Sequence, residues 1–119
     1  MGNNNAEMQG HLDRNESMWN IWKEHGVNSE TELTVNFHFY SAKKQNMELL
    51  CDELKSENIK FEVKETRTLI FFKGWEITAD ITKKWSLAEL QGKMGNLFIL
   101  SKQVGVSLDG CGAKMPNLK

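Results

Sequence analysis

The chain reads as an α+β protein: a ferredoxin-like βαββαβ sandwich, in which a four-stranded antiparallel sheet carries two helices on one face, preceded by an N-terminal amphipathic helix. Three observations predict it. The run Leu33 to Tyr40 alternates apolar and polar side chains; Met47, Leu50, Cys51 and Leu54 then recur at helical spacing; and two further alternating runs, a second helical stripe and a closing strand follow in that order. A βαββαβ order is usually solved as a sheet with both helices on one side. Right-handed crossovers put the first and third strands in the middle.

Residues 1–10 are Asn-rich and lack an apolar period, so a mobile tail is expected there. A helix is expected from Asp13, with Asp13 and Glu16 as a capping box and His25-Gly26 as a left-handed stop. At about 100° per residue, Met18, Trp19, Ile21, Trp22 and His25 fall on one arc, opposite Glu16, Ser17, Asn20, Lys23 and Glu24. Trp19 and Trp22 on that arc read as packing against the sheet; an exposed aromatic surface for a partner is the sharper alternative. His11 falls near the expected tail, and His25 sits where a helix C-terminus favours a cation.

The central strand follows. Leu33, Val35, Phe37 and Phe39 share one face, and Thr34, Asn36, His38 and Tyr40 share the other, because successive side chains alternate. β-Branched and aromatic residues without Gly or Pro agree with that assignment. From Ser41 a helix is expected, with Cys51 as a small hydrophobe on its apolar face, since spacing places no His or cation beside it. Ile59, Phe61 and Val63 alternate with Lys60, Glu62 and Lys64 as a second strand. The spacing predicts one long bent strand from Ile59 to Phe72, a turn at Lys73-Gly74, and a third strand from Trp75 to Lys83; a separate hairpin at Glu65 to Arg67 is the alternative. Ser86 with Glu89 caps a third core helix bearing Leu87, Leu90, Met94, Leu97, Phe98, Ser101 and Val104 on one arc. Gly92 and Gly95 lie off that arc and suit a close approach of another backbone. Gly105 ends the helix, and Val106 to Asp109 forms the last strand before Gly110-Cys111-Gly112.

At 119 residues the chain suits one domain, expected over residues 11–115, with residues 116–119 as a C-terminal tail. An apolar content of 39% and a charged content of 26% exclude a disordered or fibrous class. A formal net charge of −1 argues against a generic nucleic-acid binder, whose affinity grows with the number of neutralising cations. No apolar run reaches the ~20 residues of a membrane span, and no export signal precedes the first helix, so a cytoplasmic location is expected. Without export, Cys51 and Cys111 are expected as reduced thiols, and the sequon Asn15-Glu16-Ser17 as a chance match.

Several pieces together resemble the RraB family, regulator of ribonuclease E activity B. They are the amphipathic helix ending in Gly26, the short acidic linker, the Thr34-to-Ser41 strand with His38 near its end, the helix into Phe61-Glu62-Val63, and the closing Val106 to Gly112. The resemblance runs from about Asp13 to Met115. Its most specific piece is an Asp-Gly-aromatic-Gly ending, matched at Asp109, Gly110 and Gly112, with Cys111 where the family usually has Trp. It implies a small cytoplasmic bacterial protein of ferredoxin-like fold that binds the endoribonuclease RNase E and lowers its activity, with no catalysis and no cofactor. The chain departs from the best-known members in being nearly neutral and in lacking their acidic C-terminal tail.

The open sheet face is expected to present Asn36, His38, Tyr40, Glu76, Thr78, Asp80, Ser107 and Asp109. A His with two carboxylates is a metal-binding set, so His38, Asp80 and Asp109 are the one candidate cluster, with ordinary cross-strand pairs as the default. Tyr40 alone is a poor platform for stacking single-stranded RNA, and direct nucleic-acid binding is not expected. Two functions remain open. The first is a non-catalytic regulator that binds a protein partner, an RNase E-type ribonuclease or its scaffold, with Asn36, His38, Tyr40, Asp80 and Asp109 as candidate contact residues. The second is a small enzyme or a ligand- or metal-binding module built around His38, for which a pocket lined by His38 and Tyr40 would be the sign.

Overall fold

The computed structural model describes residues 2–69 and 72–114. Its elements run α1 (Gly2–Glu24), β1 (Glu32–Ser41), α2 (Lys44–Ser56), β2 (Lys60–Leu69), β3 (Phe72–Lys84), α3 (Leu87–Val104) and β4 (Ser107–Lys114). The four strands form one antiparallel sheet in the order β2-β3-β1-β4, with the first and third strands central as expected.

The sheet's two faces follow from the alternation in β1. Leu33, Val35, Phe37 and Phe39 are almost fully buried, and so are Ile77 and Ala79 beside them on β3. Leu50 and Leu54 of α2 and Leu90, Met94 and Leu97 of α3 close over this face. Trp85, between β3 and α3, seals one end. Its ring is buried 6.3 Å from Phe37, and its indole N–H donates to the Leu33 carbonyl at 3.0 Å. Around α3 the expected signals are in place: Ser86 and Glu89 form the reciprocal capping box, and Gly105 ends the helix at φ 76°.

Four expectations need correction. First, α1 begins at Gly2, not Asp13, so residues 2–10 are helical rather than a tail, and Asp13 and Glu16 lie within the helix rather than capping it. What holds the early turns is α3: Met8 packs against the core, a Cβ built on Gly95 would lie 3.3 Å from its Cε, and Glu7 pairs with Lys102 at 3.1 Å. The neighbour at Gly95 is thus the tip of a side chain and not the expected backbone, and a Cβ on Gly92 would meet nothing.

Second, the buried side of α1 is rotated from the expected arc. It runs through His11, Asn15, Trp19 and Trp22, leaving Ile21 at 51% exposure and His25 exposed. His11 is buried rather than part of a tail. His25 does cap its helix end, through a contact of 2.9 Å between Nδ1 and the Ile21 carbonyl. Trp19 and Trp22 pack edge to face in the core rather than forming an exposed surface. The polar residues on the buried side are satisfied: Asn15 donates to Gln91 Oε1 at 3.0 Å, Gln91 donates back to the Leu12 carbonyl at 2.8 Å, and the Cys111 thiol donates to Asn15 Oδ1 at 3.2 Å.

Third, neither Lys73-Gly74 nor Glu65 to Arg67 is a turn. Lys73 pairs with Arg67 and Gly74 with Thr66, and the β2–β3 ladder extends to Leu69 and Phe72. The connection falls on residues 70–71, outside the described residues, as does the expected C-terminal tail at 116–119. Fourth, two boundaries move. Ser41 still belongs to β1, its hydroxyl bonding the Lys43 backbone, and α2 starts at Lys44. The last strand continues through Gly110-Cys111-Gly112 to Lys114.

Candidate functional site

Among the described residues no element covers the face opposite the helices, and register decides which of its residues meet. Reading across β4, β1, β3 and β2, one row is Gly112, Asn36, Asp80 and Lys60, and the next is Gly110, His38, Thr78 and Glu62. Beyond it stand Tyr40, Glu76 and Lys64. Directly opposite residues on one face lie close enough to interact. Asn36 accordingly donates to Asp80 Oδ1 at 2.6 Å, and the Thr34 and Thr82 hydroxyls bond at 2.7 Å.

A β-bulge interrupts the β1–β4 ladder between His38 and Phe39. Gly110 faces His38, Leu108 faces Phe39, and Asp109 is left as the extra residue. Such a bulge re-aims side chains. Asp109 is held by the Ser107 hydroxyl, which donates to its Oδ1 at 2.7 Å, and it borders the same depression as His38. Gly110 has φ 147°, a backbone region that only glycine enters without strain. A Cβ on Gly110 or Gly112 would meet nothing, so the β4 side of the face is a bare backbone shelf beside Asn36 and His38.

Tyr40 lies across β3 at Gly74, where a Cβ would come within 2.0 Å of its hydroxyl. Gly74 is therefore the space the ring needs, not a turn residue. Phe72, two residues further along β3, is on the same side by strand alternation and is 64% exposed.

The candidate cluster of His38, Asp80 and Asp109 does not assemble, and the default of ordinary cross-strand pairing holds at Asn36 and Asp80. Asp80 is one row away, bonded to Asn36, while Asp109 is beside His38. Among the described residues no group of three or more His, Cys, Asp or Glu side chains is arranged to hold a metal. The depression at His38 has a volume of about 240 Å³ and is bordered by Glu62, Lys64, Glu76, Thr78 and Asp109. Tyr40 is not among its lining residues. Pockets that enclose small ligands run from roughly 300 to 1,000 Å³ and are mostly apolar, so this one is small and highly charged.

In neither cysteine is the thiolate form favoured. Burial pushes the Cys111 thiol up to about 12, and burial likewise raises Cys51, whose sulfur lies 3.6 Å from that of Met47. Both thiols are unpaired. Sequence reasoning missed Glu62 and Lys64 as neighbours of His38, and Phe72 as an exposed aromatic. The alternation was enough to place Glu62 and Lys64 on the open face, but only the register brings them opposite Thr78 and Glu76.

Among the described residues no helix is long and apolar enough to cross a membrane. A family model described as Regulator of ribonuclease activity B matches residues 12–113, from within α1 to the penultimate residue of β4. No curated protein matches the chain.

Proposed function

Because the chain belongs to the RraB family, the regulators of ribonuclease activity B, we propose that it is a non-catalytic cytoplasmic regulator that binds an RNase E-type endoribonuclease, or its scaffold, through the open face of its sheet and lowers RNA cleavage. The observation that carries this reading is the family match over residues 12–113, which spans every strand of the sheet. The open face supports the choice of surface. It is broad and charged, with Asn36, His38, Asp80 and Asp109 offering hydrogen bonds and Tyr40 and Phe72 offering aromatic contact at one end. Buried aromatic anchors within a polar rim are how protein interfaces concentrate their energy.

The test is capture of an RNase E-type nuclease by the purified protein from a bacterial lysate, followed by an RNA-cleavage assay with and without the regulator. Capture and reduced cleavage are expected, with Phe72→Ala and His38→Ala each weakening capture by about tenfold, the scale of an interface contact worth 1.4 kcal/mol. Failure to recover a nuclease, together with a small molecule retained at His38, would transfer the function to a ligand-binding module.

A further inference from the structure

We infer that β2 is an edge through which two copies of this chain pair antiparallel, about a two-fold axis at Val63, to form one continuous eight-stranded sheet. The edge strand β2 has β3 on one side and no strand on the other among the described residues. Such an edge is a template for pairing unless charges restrict it. Its charges restrict it in a self-complementary way. Along the open face β2 reads Lys60, Glu62, Lys64 and Thr66. With Val63 on the axis, Glu62 of one copy faces Lys64 of the other, twice by symmetry, and Lys60 faces Thr66. Sliding the second copy by one step towards the strand's start sets Lys60 against Lys64 and Glu62 against Glu62. One step the other way sets Lys64 against Lys64. Opposite charges directly across two strands stabilise them and like charges do the reverse, so the charges select a register as well as a partner.

The helix side carries the same axis. There Val63 is 40% exposed and Phe61 half-buried, forming with Met47 and Cys51 the apolar part of a groove between α2 and β2. Pairing at Val63 brings the two grooves side by side and covers Val63 with its own symmetry mate. It also runs the two copies of α2 antiparallel, so that Glu48 and Asp52 on the groove's rim approach Lys55 of the second copy. The other sheet edge lacks these features: β4 is bulged at Asp109 and has two glycines.

The inference does not rest on the ribonuclease reading, and it is tested on the purified full chain by sedimentation equilibrium from micromolar to millimolar concentration. A monomer–dimer equilibrium that weakens with added salt is expected. Glu62→Lys and Lys64→Glu should each raise the dimer Kd by about tenfold or more, because either turns two attractive pairs into two repulsive ones. The double variant Glu62→Lys/Lys64→Glu should return Kd to within a few-fold of the original, while circular dichroism reports that all three variants remain folded. A chain that stays monomeric throughout overturns the inference. So does a dimer indifferent to the single reversals, or one that the double reversal fails to restore.

Discussion

His11 is an ionisable group enclosed by a helix that holds it neutral. Its Nδ1 lies 3.0 Å from an Arg14 guanidinium nitrogen, which can only donate, so Nδ1 must accept, and the ring stands edge to face with Phe98. Burial pushes its pKa below the ordinary 6.5, and Arg14 adds to the effect; Glu7, the Leu108 carbonyl and Asp109 oppose it more weakly. Because the neutral form is favoured in the fold, the unfolded chain binds more protons as the medium acidifies. The stability this group contributes is therefore complete above pH 6.5 and is lost as pH falls from there through the depressed folded value. Denaturant titrations at pH 7.5 and 5.5 should show the wild type losing more stability on acidification than His11→Gln does; equal losses would remove His11 from the explanation. At the centre of the sheet the contrast is one of volume. Phe37 is fully buried, so Phe37→Ala should cost about 3–5 kcal/mol. Asn36→Ala, next in sequence on the other face, removes one exposed-side hydrogen bond to Asp80 and should cost about 1 kcal/mol or less. Equal costs in chemical denaturation would mean that the faces of β1 are wrongly assigned.

Among the elements, β4 is shaped by a single residue. Gly110 sits at φ 147° with empty space where a Cβ would go, so the Cβ of Gly110→Val meets nothing and the backbone strain alone should cost about 1–3 kcal/mol. Thermal unfolding should show a clear drop in Tm, and Gly112→Ala, at a glycine without positive φ, a much smaller one. Such positions also explain what could be read in advance. The faces of β1, the core stripe of α2 and the Ser86 capping box follow from local periodicity and spacing, and each was legible because packing and propensity agree there. Gly74 was misread because a glycine after a lysine resembles a turn, while its actual cause, the ring of Tyr40, lies 34 residues earlier in the chain. The face of α1 was misread because two residues of its buried side, His11 and Asn15, are polar, and only their distant partners make burial tolerable. On the open face the alternation identified Asn36, His38, Tyr40 and Asp80. That Asp80 joins Asn36 while Asp109 stands beside His38 depends on register and on a bulge, which no single strand encodes.

For the molecule as a whole, the sheet order sets a gradient of protection. β1 is flanked on both sides and buried on one face, whereas β2 is flanked on one side only among the described residues. Native-state hydrogen exchange of a dilute sample should find the slowest amides at Val35 to Phe39 and faster exchange at alternate amides of β2 that point away from β3. Uniform protection across the sheet would contradict this topology. The placement of α1 has a consequence in time. It is synthesised before its hydrogen-bonding partners, Gln91, Lys102 and Cys111, which are 76, 95 and 96 residues further along the chain. Docking must wait for those residues, and closing so long a loop is slow. Until then Trp19, Trp22 and the buried edge of α3 are open to chaperones and to one another. A nascent chain stalled before β4 would thus display the two tryptophans as its stickiest segment, and their burial would be timed by the emergence of that strand.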